Sequence, residues 1–272
     1  PSYYDKVRMP VDSPKRDSIR ILNPLGEDTS IMRTTAVPSM LEVLARNEHY
    51  HNPKAMLYEL ARIYGKREGT AMADERQDLI LGAYGGGMDF FRLKGAVEAI
   101  LKAFRVDGVS YIANAERPAF HPGRCADVTA NGQVIGTLGE IHPLVAKNYD
   151  VTNRMYLARL DFTALLALEH TEITYKPLPK YPSVARDIAV VCDADLPVGE
   201  LEACIAKSGK GLVKEIALFD IYTGAPIPAG KKSVAFSLKL RSEDHTLTDA
   251  ESDEDVKAIL AALEQEKGAV LR

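Results

Sequence analysis

The residues of this sequence best suited to chemistry are one arginine, a run of glycines, and a few histidines and cysteines. Arg33 lies in "ILNPLGEDTSIMRTTAVPSMLEVLARN". A guanidinium there could clamp a phosphate or carboxylate bidentately. Such a clamp normally has acidic or glycine-rich company, but Thr34, Thr35 and Ala36 follow. A structural arginine at a strand end, or one facing a partner chain, is an equally good reading. "GAYGGGMDFFR" could cradle an anion on backbone N–H groups ahead of a helix. It lacks the Lys-Ser/Thr of a P-loop and the GxGxxG spacing, so a strand-to-helix connection is the better reading. His121, Cys125 and His142 contain no tight pair of metal ligands, and turn chemistry accounts for them. No GxSxG elbow is present and no serine has a compelling His and Asp partner.

Composition sets the frame for these residues. The 272 residues are 46% hydrophobic and 26% charged, an ordinary globular balance that favours two domains. No apolar run approaches the roughly 18 residues of a membrane span. There is no basic-then-apolar leader, so a cytoplasmic protein without membrane partners is expected. The chain begins with Pro1 rather than Met, as a piece of something longer would. Cys125, Cys192 and Cys204 are too scattered for a disulfide framework and read as reduced, buried thiols. A net charge of −4 gives no global attraction for nucleic acid, so any such binding needs a local patch.

Two blocks separate near "EHTEITYKPLPKYPSVARD", where Pro177, Pro179 and Pro182 break any helix. The expected boundaries are a first domain over 1–172, a linker over 173–178 and a second domain over 179–272. In the first block "DSIRIL" reads as a short strand ended by Asn23-Pro24. Val37, Met40, Leu41 and Leu44 then share one helical face. "MLYELARIY" fits either a helix or a strand. "DFFRLKGAVEAILKAF" is a helix with Asp89 as N-cap, and Asn131-Gly132 marks a hairpin. "RMYLARLDFTALLAL" is a strand running into a short helix. The class is α+β with an antiparallel sheet. The second block reads strand, helix, strand, strand, helix, strand. Thr248 and Glu251 form a capping box on its last helix, and Gly268 is the stop. This is βαββαβ, the ferredoxin-like arrangement.

Seven stretches carry a resemblance across almost the whole chain: "NPLGEDTSIMRTTAVPSMLEVLARN", "DFFRLKGAVEAIL", "FHPGRCADV", "IGTLGEIHPLVAKNYD", "YPSVARDIAVV", "LFDIYTG" and "HTLTDAE". In this order and spacing they resemble the C-terminal part of bacterial phenylalanine–tRNA ligase beta subunits. The resemblance implies a class II synthetase-like antiparallel domain, catalytically degenerate, followed by a ferredoxin-fold anticodon-binding domain. It implies an assembly of two alpha and two beta subunits. The active site for phenylalanine, ATP and the tRNA 3′ end would lie on the alpha subunit, and the whole enzyme would use ATP and Mg. A class II second motif pairs arginine closely with glutamate, but Arg33 is followed by Thr34-Thr35. The helical pattern after Asp89 also departs from a third-motif strand. No catalytic residue, metal site or cofactor is therefore expected here. The family's editing and magnesium-linked stretches have no match in this sequence.

The second domain carries 12 Lys and Arg against 16 Asp and Glu, of which five acids crowd the first turns of the last helix. They favour that helix's dipole there. The βαββαβ topology gathers Lys180, Arg186, Lys207, Lys210, Lys214, Arg241 and His245 toward one end. The acidic helix start falls near that same end. Along "KKSVAFSLKLRS", Phe236, Leu238 and Leu240 should face the helices, leaving Lys239 and Arg241 on the open sheet face. The expected tRNA-binding residues are Arg186, Lys207, Lys210, Tyr222, Lys239 and Arg241, the cations on phosphates and the ring stacked on a base. A solvated charged face is the bland alternative. A free-standing RNA-binding or regulatory protein, and a self-sufficient enzyme using the glycine run, are the competing functions.

Overall fold

The computed structural model describes residues 2–70, 72–168, 171–175 and 177–272. The chain divides into two compact units, Pro1–Ile173 and Thr174–Arg272. The expected linker, 173–178, has no regular structure where it is described, and residue 176 lies outside the described residues.

In chain order the first unit holds α1 (Ser2–Asp5), α2 (Val37–His49), β1 (Lys54–Lys66), β2 (Ala73–Gly85) and α3 (Phe90–Ala103). β3 (Val109–Ala113), β4 (Phe120–Ala130), β5 (Gln133–Ile141), α4 (Pro143–Asn148), β6 (Met155–Asp161) and α5 (Phe162–Ala167) follow. Six strands form one sheet in the order β1-β2-β6-β5-β4-β3, and every neighbouring pair is antiparallel. On one face Met40, Leu41 and Leu44 of α2 pack with Val145 of α4 on Ile80, Tyr84, Met155 and Leu157. On the other, Leu93, Val97 and Leu101 of α3 and Leu165 of α5 pack on Leu138, Tyr156, Ala158 and Leu160. The period-2 alternation of the strands supplies both surfaces.

The ambiguous "MLYELARIY" is strand. β1 pairs with β2 along all of its length, burying Ala61 and Ile63 and leaving Met56, Tyr58 and Leu60 exposed. As a helix it would have left that side of β2 without backbone partners. Asp89 caps α3, accepting from Arg92 N at 2.7 Å. Asn131 (φ 49°) and Gly132 (φ 81°) make the turn between β4 and β5, as a two-residue hairpin requires. The strand expected at "DSIRIL" is corrected: only Arg20 bridges Ile31, flanked by bonds from Ile21 N to Ser30 O and from Met32 N to Ile19 O. Leu22 and Leu25 are fully exposed, so no buried face is available to extend the ladder.

The second unit holds β7 (Val184–Asp193), α6 (Val198–Ser208), β8 (Val213–Tyr222), β9 (Lys231–Leu240), α7 (Asp249–Lys267) and β10 (Val270–Leu271). Its sheet order is β10-β7-β9-β8. Leu201 and Ile205 of α6 and Ile259 and Leu263 of α7 pack on Ile188, Val190, Phe236 and Leu238. The other sheet face is left open. Thr248 and Glu251 form the complete capping box, and Gly268 ends α7 in the left-handed region at φ 61°.

Candidate nucleic-acid interface

Strand alternation decides which side chains reach the open face of the second sheet. Val234, Phe236, Leu238 and Leu240 of β9 are fully buried under the helices. Ser233, Ala235, Ser237 and Lys239 take the opposite face. The register adds Ala185, Asp187, Ala189 and Val191 from β7, and Glu215, Ala217, Asp220 and Tyr222 from β8. Small side chains occupy much of the middle of this face, with the exposed carboxylates of Asp187 and Asp220 among them. Tyr222 stands at its border, donating its hydroxyl to Ala225 O at 2.7 Å. The Arg272 guanidinium lies 5.9 Å from that ring's centroid.

One end of the sheet gathers the start of β7, the end of β9 and the start of β8, since Val184 and Val213 both pair with Leu240. The bases arrive there with acids. Arg186, opposite Leu238, points to the helix side and is held by Asp249 at 2.8 Å and Asp253 at 3.2 Å. The two carboxylates raise its pKa, Asp249 contributing most. Lys210 pairs with Glu254 at 3.0 Å and Lys214 with Glu243 at 3.1 Å, whereas the expected gathering of Lys207 at this end is corrected: it pairs with Glu266 at 3.4 Å, in the last turn of α7. Lys239 reaches Glu215 at 3.5 Å across the sheet, and His245 meets Glu251 at 2.9 Å. Glu251 itself is held near pKa 2, chiefly by the Thr248 backbone N–H. The Arg241 backbone N–H is bonded to Leu212 O, and among the described residues its guanidinium has no acidic partner within 4 Å. Exposed ion pairs of this kind are worth about 0–1 kcal/mol, so a phosphate can displace the carboxylate at little cost.

Sequence reasoning missed Arg272 and the small-residue floor. The signal for Arg272 was available: the last strand of βαββαβ lies beside the first, and Arg272 N donates to Ala189 O at 2.9 Å. The floor is visible as Ser233, Ala235 and Ser237 at alternate positions of β9 and as Ala185 and Ala189 on either side of Asp187 in β7.

The other candidates lie in the first unit. Arg33 is fastened to β1, through Nη2 to Glu59 at 2.6 Å and Nε to Arg62 O at 3.0 Å. Gly85, Gly86 and Gly87 all have positive φ and carry the chain from β2 toward α3. His121 Nδ1 accepts from Gly123 N, and His142 Nδ1 caps α4 by accepting from Leu144 N. Cys125, Cys192 and Cys204 are free and buried. Among the described residues no group of three or more His, Cys, Asp or Glu is placed to hold a metal ion, and no helix is long and apolar enough to cross a membrane.

Residues 1–162 match the family described as the phenylalanyl tRNA synthetase beta chain CLM domain, and residues 179–272 match the ferredoxin-fold anticodon binding domain. The chain is 42% identical over 274 residues to the phenylalanine–tRNA ligase beta subunit of Clostridium acetobutylicum, covering all of this chain and 34% of that protein. It is 40% identical over 273 residues to the beta subunit of Clostridium tetani, with the same coverage. The chain thus spans about a third of the length of these relatives. A pyrrolysyl-tRNA synthetase structure from Desulfitobacterium hafniense is similar at TM-score 0.49 and 14% identity, over 61% of this chain and 58% of that one.

Proposed function

The chain belongs to the phenylalanyl-tRNA synthetase beta-chain family, and from that premise we propose that it serves phenylalanine–tRNA ligase as a non-catalytic scaffold that also grips tRNA. The observation that carries this reading is whole-length similarity to ligase beta subunits, with the anticodon-binding match over 179–272. In this reading 1–172 is a degenerate class II synthetase-like core and 173–178 a linker. ATP and Mg act on an alpha subunit, in a cytoplasmic assembly of two alpha and two beta chains. Two features of the first unit support it. Arg33 spends its donors on β1 rather than on a ligand cup. Met56, Tyr58 and Leu60 leave an apolar stripe on an edge strand, the kind of surface a permanent subunit partner covers.

The tRNA would lie on the open face and basic end of the second unit. Lys239 and Arg241 neutralise phosphates and Tyr222 stacks on an unpaired base. Arg186, Lys207 and Lys210 join by exchanging their carboxylate partners for phosphate. The test is a binding assay of the chain with phenylalanine tRNA across a salt series, with and without alpha subunit. Lys239→Glu with Arg241→Glu should weaken binding and lower the salt slope by about 2, one per lost phosphate contact. An unchanged affinity and slope would remove the assignment.

A further inference from the structure

We propose that the first unit contains a binding site for a small organic carboxylate with an apolar body, between the sheet and the segment around residues 7–15. On the sheet face that carries the α2 core, the register continues past Ile80 into a polar stretch. Asp78 lies opposite Asp161, Arg159 opposite Thr137, and Thr137 opposite Asp127. Their side chains share that face. Two guanidiniums here already have counter-ions: Arg159 reaches Asp78 at 2.5 Å, and Arg117 reaches Asp127 at 2.8 Å.

The third cation does not. Lys15 makes no ion pair within 4 Å among the described residues, although it lines a cavity of about 280 Å³ with Arg117 and Arg159. Lys15 is exposed as a residue, and partial burial among its neighbours lowers its pKa. Arg159 and Arg117 push it further down, against opposition from Asp78 and Asp161. A desolvated ammonium beside two guanidiniums costs free energy that an anion would offset. Val7, Val37 and Phe120 give the same cavity an apolar wall. Asp161 also lines it, with one oxygen capping α5 through Ala164 N and the other 4.0 Å from Arg159. That third carboxylate sets three acids against three bases and disfavours a dianion such as a phosphate monoester. Lys15, the one cation of the three with no carboxylate within 4 Å among the described residues, matches one carboxylate. This site lies apart from the RNA surface and does not depend on it.

The test is calorimetric titration of the 272-residue chain with benzoate and with benzamide, its neutral counterpart, repeated on Lys15→Met and Lys15→Arg. Benzoate should bind at one saturable site, with benzamide weaker by roughly tenfold or more, the worth of a charge-assisted hydrogen bond. Lys15→Met should erase that preference and Lys15→Arg should retain it, with melting midpoints matching the parent. Lys15 sits on an exposed 3₁₀ turn, so both variants are expected to fold. Absence of saturable benzoate binding at millimolar concentration, equal affinity for the two compounds, or full benzoate affinity in Lys15→Met would each overturn the assignment.

Discussion

Asp127 accepts four hydrogen bonds on its two oxygens, from Arg117 Nε and Nη2, Asn114 Nδ2 and Thr137 Oγ1. Burial alone would raise its pKa, but these donors outweigh burial and hold it below the ordinary value. A folded-state pKa below the unfolded one gives stability that is complete above the ordinary Asp range and fades as pH falls through the folded value. Asp127→Asn should therefore cost roughly 2–4 kcal/mol at neutral pH and flatten the acid limb of a urea-midpoint profile. Asp255 is the opposite case. Both its oxygens are buried with no hydrogen-bond partner, and burial raises its pKa. With the folded value above the unfolded one, its contribution worsens as pH rises between the two. Asp255→Asn should raise stability at pH 7 by about 1 kcal/mol or more, and change nothing below both pKa values. A variant less stable than the parent at neutral pH would show that the carboxylate has a partner in solution.

Helices and strands place glycine under two different demands. Gly95 is in the interior of α3, and a Cβ there would have nothing within 4 Å. Gly95→Ala should stabilise the chain by about 0.5–1 kcal/mol, read from the thermal or urea midpoint. Gly139 lies in β5, where an added Cβ would come within 2.5 Å of Arg124 O and 3.0 Å of Cys125 Cα. The obstacle is backbone of the neighbouring strand, so Gly139→Ala should destabilise by about 1–3 kcal/mol. Elements with local signals were legible: Asp89 as a cap, Asn131-Gly132 as a turn, and Thr248 with Glu251 as a capping box. β1 was not, because Met56, Leu57, Leu60, Ile63 and Tyr64 fit a helical face while Met56, Tyr58, Leu60 and Tyr64 partly fit a strand. Pairing with β2 resolved it, and pairing is a property of two segments.

At the scale of the molecule, the apolar stripe of β1 and the charge of the second unit make separate demands on partners. Tyr58→Glu with Leu60→Glu should leave the melting midpoint unchanged, since both side chains are already exposed. The same pair should abolish co-elution with an alpha subunit on size exclusion, by placing two unpaired charges in an apolar contact. Undiminished co-elution would move the contact elsewhere. By itself the sequence determined the βαββαβ wrap of the second unit and the family, because caps, alternation and motif order are written over short stretches. Only the tertiary structure decided where each cation spends its charge. Arg186 meets Asp249 and Asp253, Lys239 meets Glu215, and Lys15 shares a cavity with Arg117 and Arg159. Those groups lie dozens of residues apart in the chain, and charge interactions depend on distances that only the fold sets.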